Sequence, residues 1–199
     1  MKTLSKTLFY FFITVAAFSL AACGGSEEGA SNSGDSGETQ ISAEKPAENP
    51  NRGTASADFG GKSVSVDYGR PELKGRDMLG QASDGMVWRM GMNEATVLET
   101  AANLTFGETA VAAGRYTLWM QKTADGWDLL VNSNAAEGMW GAPAPSDGVV
   151  ASTSFAISAS ETSVEKFTME VAASDDSNGS ITVSWDKMVL TASFGVSAE

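Results

Sequence analysis

From Gly60 onward, short runs of alternating apolar and polar residues recur along the chain, and turn-forming residues separate them. A period of two places apolar side chains on one face of a strand and polar side chains on the other. Asp125-Gly126 and Asn178-Gly179 are dipeptides favoured in tight hairpin turns. No long window carries the 3.6-residue apolar stripe of an amphipathic helix. The pattern therefore argues against a helical domain and predicts strands.

The runs predict an all-β domain, an antiparallel β-sandwich of about eight or nine strands over residues 59–199, with a β-barrel as the alternative. Alternation with one polar face favours antiparallel over parallel pairing. Neither an internal repeat nor a second domain is indicated, and a hydrophobic content of 42% suits an ordinary globular domain.

Residues 1–22 have the organisation of a bacterial lipoprotein signal peptide. Lys2 and Lys6 precede an uncharged apolar run of 13 residues, from Leu8 to Leu20. This run is shorter than the roughly 20 residues that span a bilayer as a helix. The Leu-Ala-Ala-Cys sequence ending at Cys23 resembles the lipobox, in which the cysteine receives a diacylglycerol. We therefore expect cleavage before Cys23 and anchoring to the lipid bilayer through acyl chains such as palmitate; a plain secretory signal is the alternative.

Residues 23–58 are rich in Gly, Ser, Ala, Glu and Asn, and Ile41 is their only branched aliphatic residue. Such a segment buries too little apolar surface to offset its ordering entropy, so we predict a flexible tether. Gly24 stands where many inner-membrane lipoproteins carry Asp, so an exported, outer-membrane location is expected by analogy. Glu27-Glu28 is similar to an acidic surface-export signal, which leaves the periplasmic and surface faces both open.

The composition excludes several classes of function. With 25 acidic against 13 basic residues the formal net charge is −12, which argues against a nucleic-acid partner. The absence of histidine excludes a Ser-His-Asp or Cys-His nucleophile, and a single cysteine excludes a disulfide framework and a thiolate zinc site. No glycine-rich nucleotide motif is present. We therefore expect no cofactor and no metal.

One basic cluster stands out on this acidic chain, because four of the nine Lys and Arg of residues 59–199 lie between Arg70 and Arg89. Guanidinium groups pair bidentately with carboxylate or phosphate, so the cluster predicts a pocket for a small anionic or sugar ligand. The alternative is a closed structural network, in which Arg76 and Arg89 pair with Asp67, Asp77 or Glu94 and Trp88 lies in the core. The candidate ligand-binding residues are Arg70, Arg76, Trp88, Arg89, Asn93 and Glu94.

Two tryptophans are candidates for stacking on a sugar ring. Trp119 is out of phase with the apolar residues of its strand, so it is predicted to face solvent or a groove between loops. Trp140 follows in a glycine-rich stretch and would stack beside it. The alternative is that both pack against the second face of the sheet or at an interface.

Four separate runs carry a resemblance to a known family: YGRPELKGRDMLG, VWRMGMNEAT, AAGRYTLWM and GWDLLVN, with a Trp140-Gly141 pair after the last. They occur in the order found in domain of unknown function 2911, a bacterial family with many exported lipoproteins, and the resemblance covers about residues 62–194. Met90 and Met92 stand where smaller residues are common in that family. The resemblance implies a β-sandwich envelope protein and implies no catalytic residue.

Together these features predict a lipid-anchored envelope protein with a non-enzymatic domain that binds a small anionic or glycan ligand or an envelope partner. The alternative is a hydrolase that acts on an envelope polymer through carboxylates near Glu94. Carboxylates are numerous, but no motif selects a catalytic pair among them.

Overall fold

In a computed structural model of the chain, residues 49–197 are described. The predicted signal peptide, the lipidation site Cys23 and the predicted tether up to residue 48 lie outside these residues. No helix within residues 49–197 has the length and hydropathy needed to cross a membrane. The strands are β1 (Arg52–Phe59), β2 (Lys62–Gly69), β3 (Val87–Trp88), β4 (Thr96–Thr100), β5 (Asn103–Phe106), β6 (Thr109–Val111), β7 (Gly114–Thr123), β8 (Gly126–Asn132), β9 (Val149–Ser154), β10 (Ala156–Asp175) and β11 (Asn178–Ser197).

The strands form two antiparallel sheets, which confirms the predicted all-β sandwich. The first sheet has the order β1-β2-β4-β7-β8-β9, with the short β3 paired to β7, and the second has the order β10-β11-β5-β6. The structure therefore has eleven strands among the described residues, where eight or nine were predicted. The difference arises because β1 lies mostly in the predicted tether, and because β3 and β6 contain only two and three residues, too few to show alternation.

Strand β1 lies inside the segment that was predicted to be tether, so the ordered domain begins before residue 59. Its inward positions are Gly53, Ala55 and Ala57, followed by the buried Phe59. Small residues at alternate positions give a weak hydrophobic signal, which explains the error. The register from Arg52 opposite Gly69 to Phe59 opposite Lys62 nevertheless pairs the whole strand with β2.

Both predicted hairpins form, but their turns lie earlier than the dipeptides indicated. The turn residues are Ala124-Asp125 between β7 and β8, and Asp176-Ser177 between β10 and β11. Gly179 is already in β11, where an added Cβ would lie 2.6 Å from the ring of Phe59. Glycine is therefore needed at this position for close packing of the aromatic side chain, and not for the turn.

The core lies between the two sheets and is one cluster of buried side chains. Val66 and Leu118 of the first sheet and Phe167 and Ile181 of the second belong to this cluster and are fully buried. Each such side chain contributes roughly 1.5–3 kcal/mol by leaving water. Phe167 packs edge-on against Trp185, with 5.5 Å between ring centroids.

A long loop between β8 and β9, residues 133–148, crosses the outer face of the first sheet; we call it the strap. Its two ends are joined, because the Ser133 main-chain amide donates to the Gly148 carbonyl at 2.8 Å and the side-chain Nδ2 of Asn132 donates to the Asp147 carbonyl at 2.6 Å. The strap is the feature of the fold that positions the candidate site.

Candidate functional site

The structure separates the predicted cluster, and two of its arginines donate to main-chain carbonyls nearby. Arg70 reaches the second sheet, where its Nε donates to the Phe167 carbonyl and its Nη2 to Thr168 Oγ1, both at 3.3 Å. Arg76 stays within its own loop and donates through Nε to the Leu73 carbonyl at 3.1 Å. Neither guanidinium forms one of the ion pairs described for residues 49–197, so the predicted carboxylate partner of Arg76 is wrong.

Arg89 joins two segments of main chain. Its Nη1 donates to the Gly141 carbonyl in the strap at 3.2 Å, and its Nε donates to the Gly91 carbonyl at 3.4 Å. The predicted ion pair between Arg89 and Glu94 does not form, since Glu94 has a different cationic partner. Arg89 therefore acts as a positioning residue for the strap.

Trp88 lies on the opposite side of the first sheet from the strap and packs into the core. Its ring stacks on Trp185, with centroids 5.4 Å apart and planes 8° from parallel, and meets Phe167 edge-on. This agrees with the structural alternative for Trp88. The ring is accordingly unavailable to a polar pocket on the outer face.

The segment before β4 holds the middle of the strap by main-chain hydrogen bonds. The Gly141 amide donates to the Asn93 carbonyl at 2.9 Å, and the Ala95 amide donates to the Met139 carbonyl at 2.9 Å. Asn93 has a φ of 63°. Asparagine tolerates this left-handed conformation better than most residues, which accounts for the residue type at this position.

The same segment packs closely on the end of β2. A Cβ added to Gly69 would overlap the main chain of Met92, and one added to Gly91 would lie 2.9 Å from the Gly69 carbonyl oxygen. Glycine at both positions lets the two backbones approach. This approach brings Glu94 to the outer face of the first sheet.

Arg52 is the centre of the polar network on that face. Its Nε donates to Asp67 Oδ1 at 2.8 Å, and its Nη1 donates to Glu94 Oε2 at 3.0 Å. Its Nη2 contacts Asp67 Oδ1 and donates to the Ala95 carbonyl at 3.5 Å. Sequence reasoning missed Arg52 because it was assigned to the tether. The alternating small residues of β1, followed by Phe59 and a Gly-Gly turn, are the signal that could have located it.

Between this network and the strap lies a small polar cavity of about 200 Å³, which we call the sheet-face cleft. Arg115, on the outer side of β7, brings a second guanidinium to it. Arg115 has one ion-pair partner among the described residues, Glu99, with Nη1 3.6 Å from Oε1. The lining residues are Arg52, Asp67, Glu94, Ala95, Val97, Arg115, Ala136, Gly138 and Met139.

The two candidate stacking tryptophans have different environments. Trp119 is 2% exposed, so the expectation that it faces solvent or a groove is wrong. It does lie on the outer side of β7, but its Nε1 donates to Thr117 Oγ1, which in turn donates to the strap carbonyl of Asn134 at 2.9 Å. Trp140 is 56% exposed and pairs through its backbone with Glu94, at the edge of the cleft.

Of the predicted residues, Glu94 alone lines the cleft. Arg89 and Asn93 hold the strap by hydrogen bonds, and Trp140 belongs to the strap. The remaining predicted residues lie elsewhere: Arg70, Arg76, Trp88 and Trp119. Among the described residues, no group of three or more His, Cys, Asp or Glu side chains is arranged to hold a metal ion. The cleft offers a ligand hydrogen bonds and ion pairs, from guanidinium donors that lie beside carboxylate acceptors.

Comparison with known proteins identifies one family. The sequence profile of DUF2911, described as a protein of unknown function, matches residues 50–194. No curated protein and no solved structure matches the chain. The matched range includes β1, in agreement with a domain that begins before residue 59. Because the match covers most of the chain, this protein belongs to the DUF2911 family.

Proposed function

We propose that this chain is a lipid-anchored protein of the bacterial envelope whose sandwich domain binds a small anionic or glycan-like ligand without catalysing a reaction. The lipobox at Cys23 and the tether-like composition after it support the anchor. The sheet-face cleft supports the binding function. The observation that carries the ligand proposal is the guanidinium of Arg115, whose partner Glu99 lies 3.6 Å away.

The two arginines of the cleft have different roles in this proposal. Arg52 is engaged by Asp67 and Glu94 and holds the cleft together. The side chain of Arg115 is 39% exposed, and among residues 49–197 Glu99 is its one ion-pair partner, which leaves most of its five donors open to a ligand. A ligand carboxylate or phosphate would therefore pair with Arg115, in the bidentate geometry that guanidinium favours.

The size and the acceptors of the cleft limit the ligand further. A volume of about 200 Å³ lies below the range of about 300–1,000 Å³ typical for drug-sized ligands, which indicates a ligand no larger than one sugar unit. Asp67 and Glu94 are acceptors for hydroxyl groups. The exposed ring of Trp140 offers an apolar surface beside them. A sugar acid or sugar phosphate matches this combination.

A thermal-shift screen with phosphate, acetate, glucuronate, a sugar phosphate and neutral sugars tests the proposal. We expect glucuronate or a sugar phosphate to raise the melting temperature of the parent, and Arg115→Ala to abolish that shift. Lys122→Ala is the matched control, because Lys122 is a cation on the same strand with its own partner, Asp84, at 3.4 Å. Shifts that are equal in the parent and Arg115→Ala would contradict binding at the cleft.

A hydrolase acting on an envelope polymer is the second candidate, because Asp67 and Glu94 bring two carboxylates to one cavity. Both carboxylates are bound to the same guanidinium of Arg52, so they flank an arginine and not an open position for a substrate. A panel of glycoside and ester substrates distinguishes the two functions. Turnover by the parent that Glu94→Gln abolishes would establish the hydrolase and overturn the non-enzymatic proposal.

The anchor is tested separately at Cys23. We expect the parent to incorporate labelled palmitate and to fractionate with membranes, and Cys23→Ser to lose the label and enter the soluble fraction. Labelling that persists in the variant would contradict acylation at this residue.

A further inference from the structure

A second cavity, which shares no lining residue with the cleft, lies between the loop of residues 73–80 and the β10–β11 ribbon. Its volume is about 470 Å³, within the range of about 300–1,000 Å³ that small-molecule sites occupy. Its apolar lining consists of Leu73, Met78, Leu79, Ile157, Trp185 and Met188. We call it the apolar cavity.

The cavity forms where the β10–β11 ribbon is irregular. Ala159 is opposite Met188, but Val164 is already opposite Asp186, so β10 contains several more residues than β11 over this interval. Asp186 has a φ of 51°, a left-handed conformation that marks the irregularity. The extra residues bend the ribbon and open space beside it.

Hydrogen bonds hold the facing loop in place, so the cavity has two fixed walls. The Leu73 amide donates to the Glu165 carbonyl at 3.0 Å, and the Lys74 amide donates to Glu165 Oε1 at 2.8 Å. Further along, the Gly80 amide donates to Asp77 Oδ1 at 2.8 Å. The shape of the cavity is therefore set by the fold itself.

The apolar side chains are graded from the floor to the mouth. Leu73 and Leu79 are each 6% exposed, whereas Met78 at the mouth is 37% exposed and Ile157 is 49% exposed. Ligand sites are concave and lined mainly by apolar side chains, and these two side chains extend the apolar surface of the cavity to its mouth. A ligand with an apolar body would cover them.

The rim of the cavity is acidic. Asp77 and Asp186 contribute two carboxylates against one cation, Lys187. Within the described part of the chain, each carboxylate accepts through Oδ1 alone, from the Gly80 amide and from Ser163 Oγ respectively. The Oδ2 oxygens are left to interact with a ligand. A positively charged head group is complementary to this rim.

We propose that the apolar cavity binds a free, single-chain amphiphile with an apolar body and an ammonium head group. The body covers Met78 and Ile157, and the head group lies at Asp77 and Asp186. A stable interface with a protein partner involves roughly 20–30 residues on each side, whereas twelve residues line this cavity. The proposal is independent of the sheet-face cleft and does not depend on the ligand proposed there.

Competition with a neutral fluorescent probe, N-phenyl-1-naphthylamine, tests this site. Every protein is the full chain with Cys23→Ser, so that no acyl group of the protein competes. The competitors are octyltrimethylammonium, octyl glucoside and octyl sulfate, each below its micelle concentration. They share one chain and differ only in the head group. Vesicles of an aminophospholipid form a separate arm.

Ala159→Phe fills the cavity from its exposed wall, and Ala173→Phe is the matched control at an exposed position of the same strand. We expect octyltrimethylammonium to compete best with the parent and the control, and Ala159→Phe to weaken its binding by about tenfold or more. Asp77→Asn with Asp186→Asn should remove the preference for the cation and leave octyl glucoside binding unchanged. Asparagine keeps the Oδ1 acceptor and tolerates the φ of Asp186.

Several outcomes would overturn the proposal. Equal binding by the parent and Ala159→Phe would place the amphiphile elsewhere, and preference for octyl sulfate would refute the charge argument. Binding to vesicles without binding of the monomeric amphiphile would indicate a membrane surface in place of a cavity. No binding of any competitor or of the probe would refute the site itself.

Discussion

Single arginine side chains hold separate segments of this domain together. Arg52 joins β1 to β2 and to the segment before β4, Arg70 joins β2 to β10, and Arg89 joins the strap to the segment that it crosses. The five donors of a guanidinium, in one plane, suit it to bridge several acceptors at once. Several of these acceptors are main-chain carbonyls of different segments. The single ammonium group of a lysine is too compact to bridge them in the same way.

Arg52 should matter more to stability than any other surface cation. We expect Arg52→Ala to lower the free energy of unfolding by about 1–2 kcal/mol, because it removes charge-assisted bonds to two carboxylates that are themselves partly solvent-screened. Arg52→Lys should restore less than half of the loss, since an ammonium cannot span Asp67, Glu94 and the Ala95 carbonyl. Urea unfolding measures both.

Arg115→Ala is the control for this prediction, because its one ion pair is long and exposed. It should change the free energy of unfolding by less than about 0.5 kcal/mol. If Arg52→Ala proved as mild as Arg115→Ala, the network around Arg52 would have no part in holding β1.

Asp175 supplies a dependence of stability on pH. The Ser177 amide and then the Asn178 side chain donate to its carboxylate and lower its pKa below the usual value of 3.8. A carboxyl whose folded pKa is lowered stabilises the fold above its unfolded pKa, and this contribution disappears as the pH falls through the folded pKa. We therefore expect the parent to be more stable than Asp175→Ala at neutral pH, and the difference to shrink below about pH 4.

Melting temperatures of both proteins between pH 7 and pH 3 provide the measurement. Asp176→Ala, which removes the neighbouring turn carboxylate and keeps the bonds to Asp175, is the control. A gap for Asp175→Ala that widens on acidification would contradict the assigned cause.

At the scale of structural elements, the strap decides which side chains of the first sheet reach solvent. It covers the outer face at Thr117, whose hydroxyl donates to a strap carbonyl. Trp119 is buried beside Thr117, and its Nε1 donates a hydrogen bond to the Thr117 hydroxyl. Its middle is held by the pairing of Asn93 and Ala95 with residues 139–141. The strap also contributes the upper wall of the sheet-face cleft.

Loosening the strap should therefore expose Trp119 without unfolding the sandwich. We expect Arg89→Ala, which loses the bond to the Gly141 carbonyl, to increase hydrogen exchange at the Gly141 and Ala95 amides by about tenfold. Iodide should quench more of the tryptophan fluorescence in this variant than in the parent.

Arg76→Ala is the matched control, because Arg76 donates only within its own loop. Its exchange at the strap should equal that of the parent. Equal protection of the Gly141 amide in Arg89→Ala and the parent would show that the main-chain pairs alone hold the strap.

At the scale of the whole molecule, β1 is an integral part of the sandwich. Phe59 at its end packs against Phe194 of the second sheet, with ring centroids 5.5 Å apart, and its backbone pairs with β2 along its full length. The strand therefore belongs to the first sheet by pairing and contacts the second sheet through the core. A fragment that starts after residue 59 would lack the whole strand.

Fragments with two different starts test this boundary. We expect a fragment of residues 49–199 to unfold as cooperatively as the full chain. A fragment of residues 60–199 should lose at least the roughly 3–5 kcal/mol that removal of a buried phenylalanine costs. It should also show weakened cooperativity in urea, because one edge of β2 is left unpaired. Equal stability of the two fragments would return β1 to the tether.

Local patterns in the chain were sufficient for the fold class, because the period-two alternation of runs such as Val64-Val66-Tyr68 depends on neighbours in sequence alone. They also singled out the basic cluster between Arg70 and Arg89. They could not show that Arg70, Arg76 and Arg89 would donate to main-chain carbonyls, since those carbonyls belong to segments distant in sequence or to turns of unpredicted shape.

The tertiary structure alone determined the partners and the cavities. Arg52 meets Asp67 and Glu94 only because β1 pairs with β2 and the segment before β4 packs closely on the end of β2. Trp119 is buried only because a later loop crosses its face. The apolar cavity likewise depends on a register shift between two strands. Alternation in the sequence specifies which face of a strand is apolar. Which polar groups meet on the outer face depends on strand pairing and on loops from distant parts of the chain.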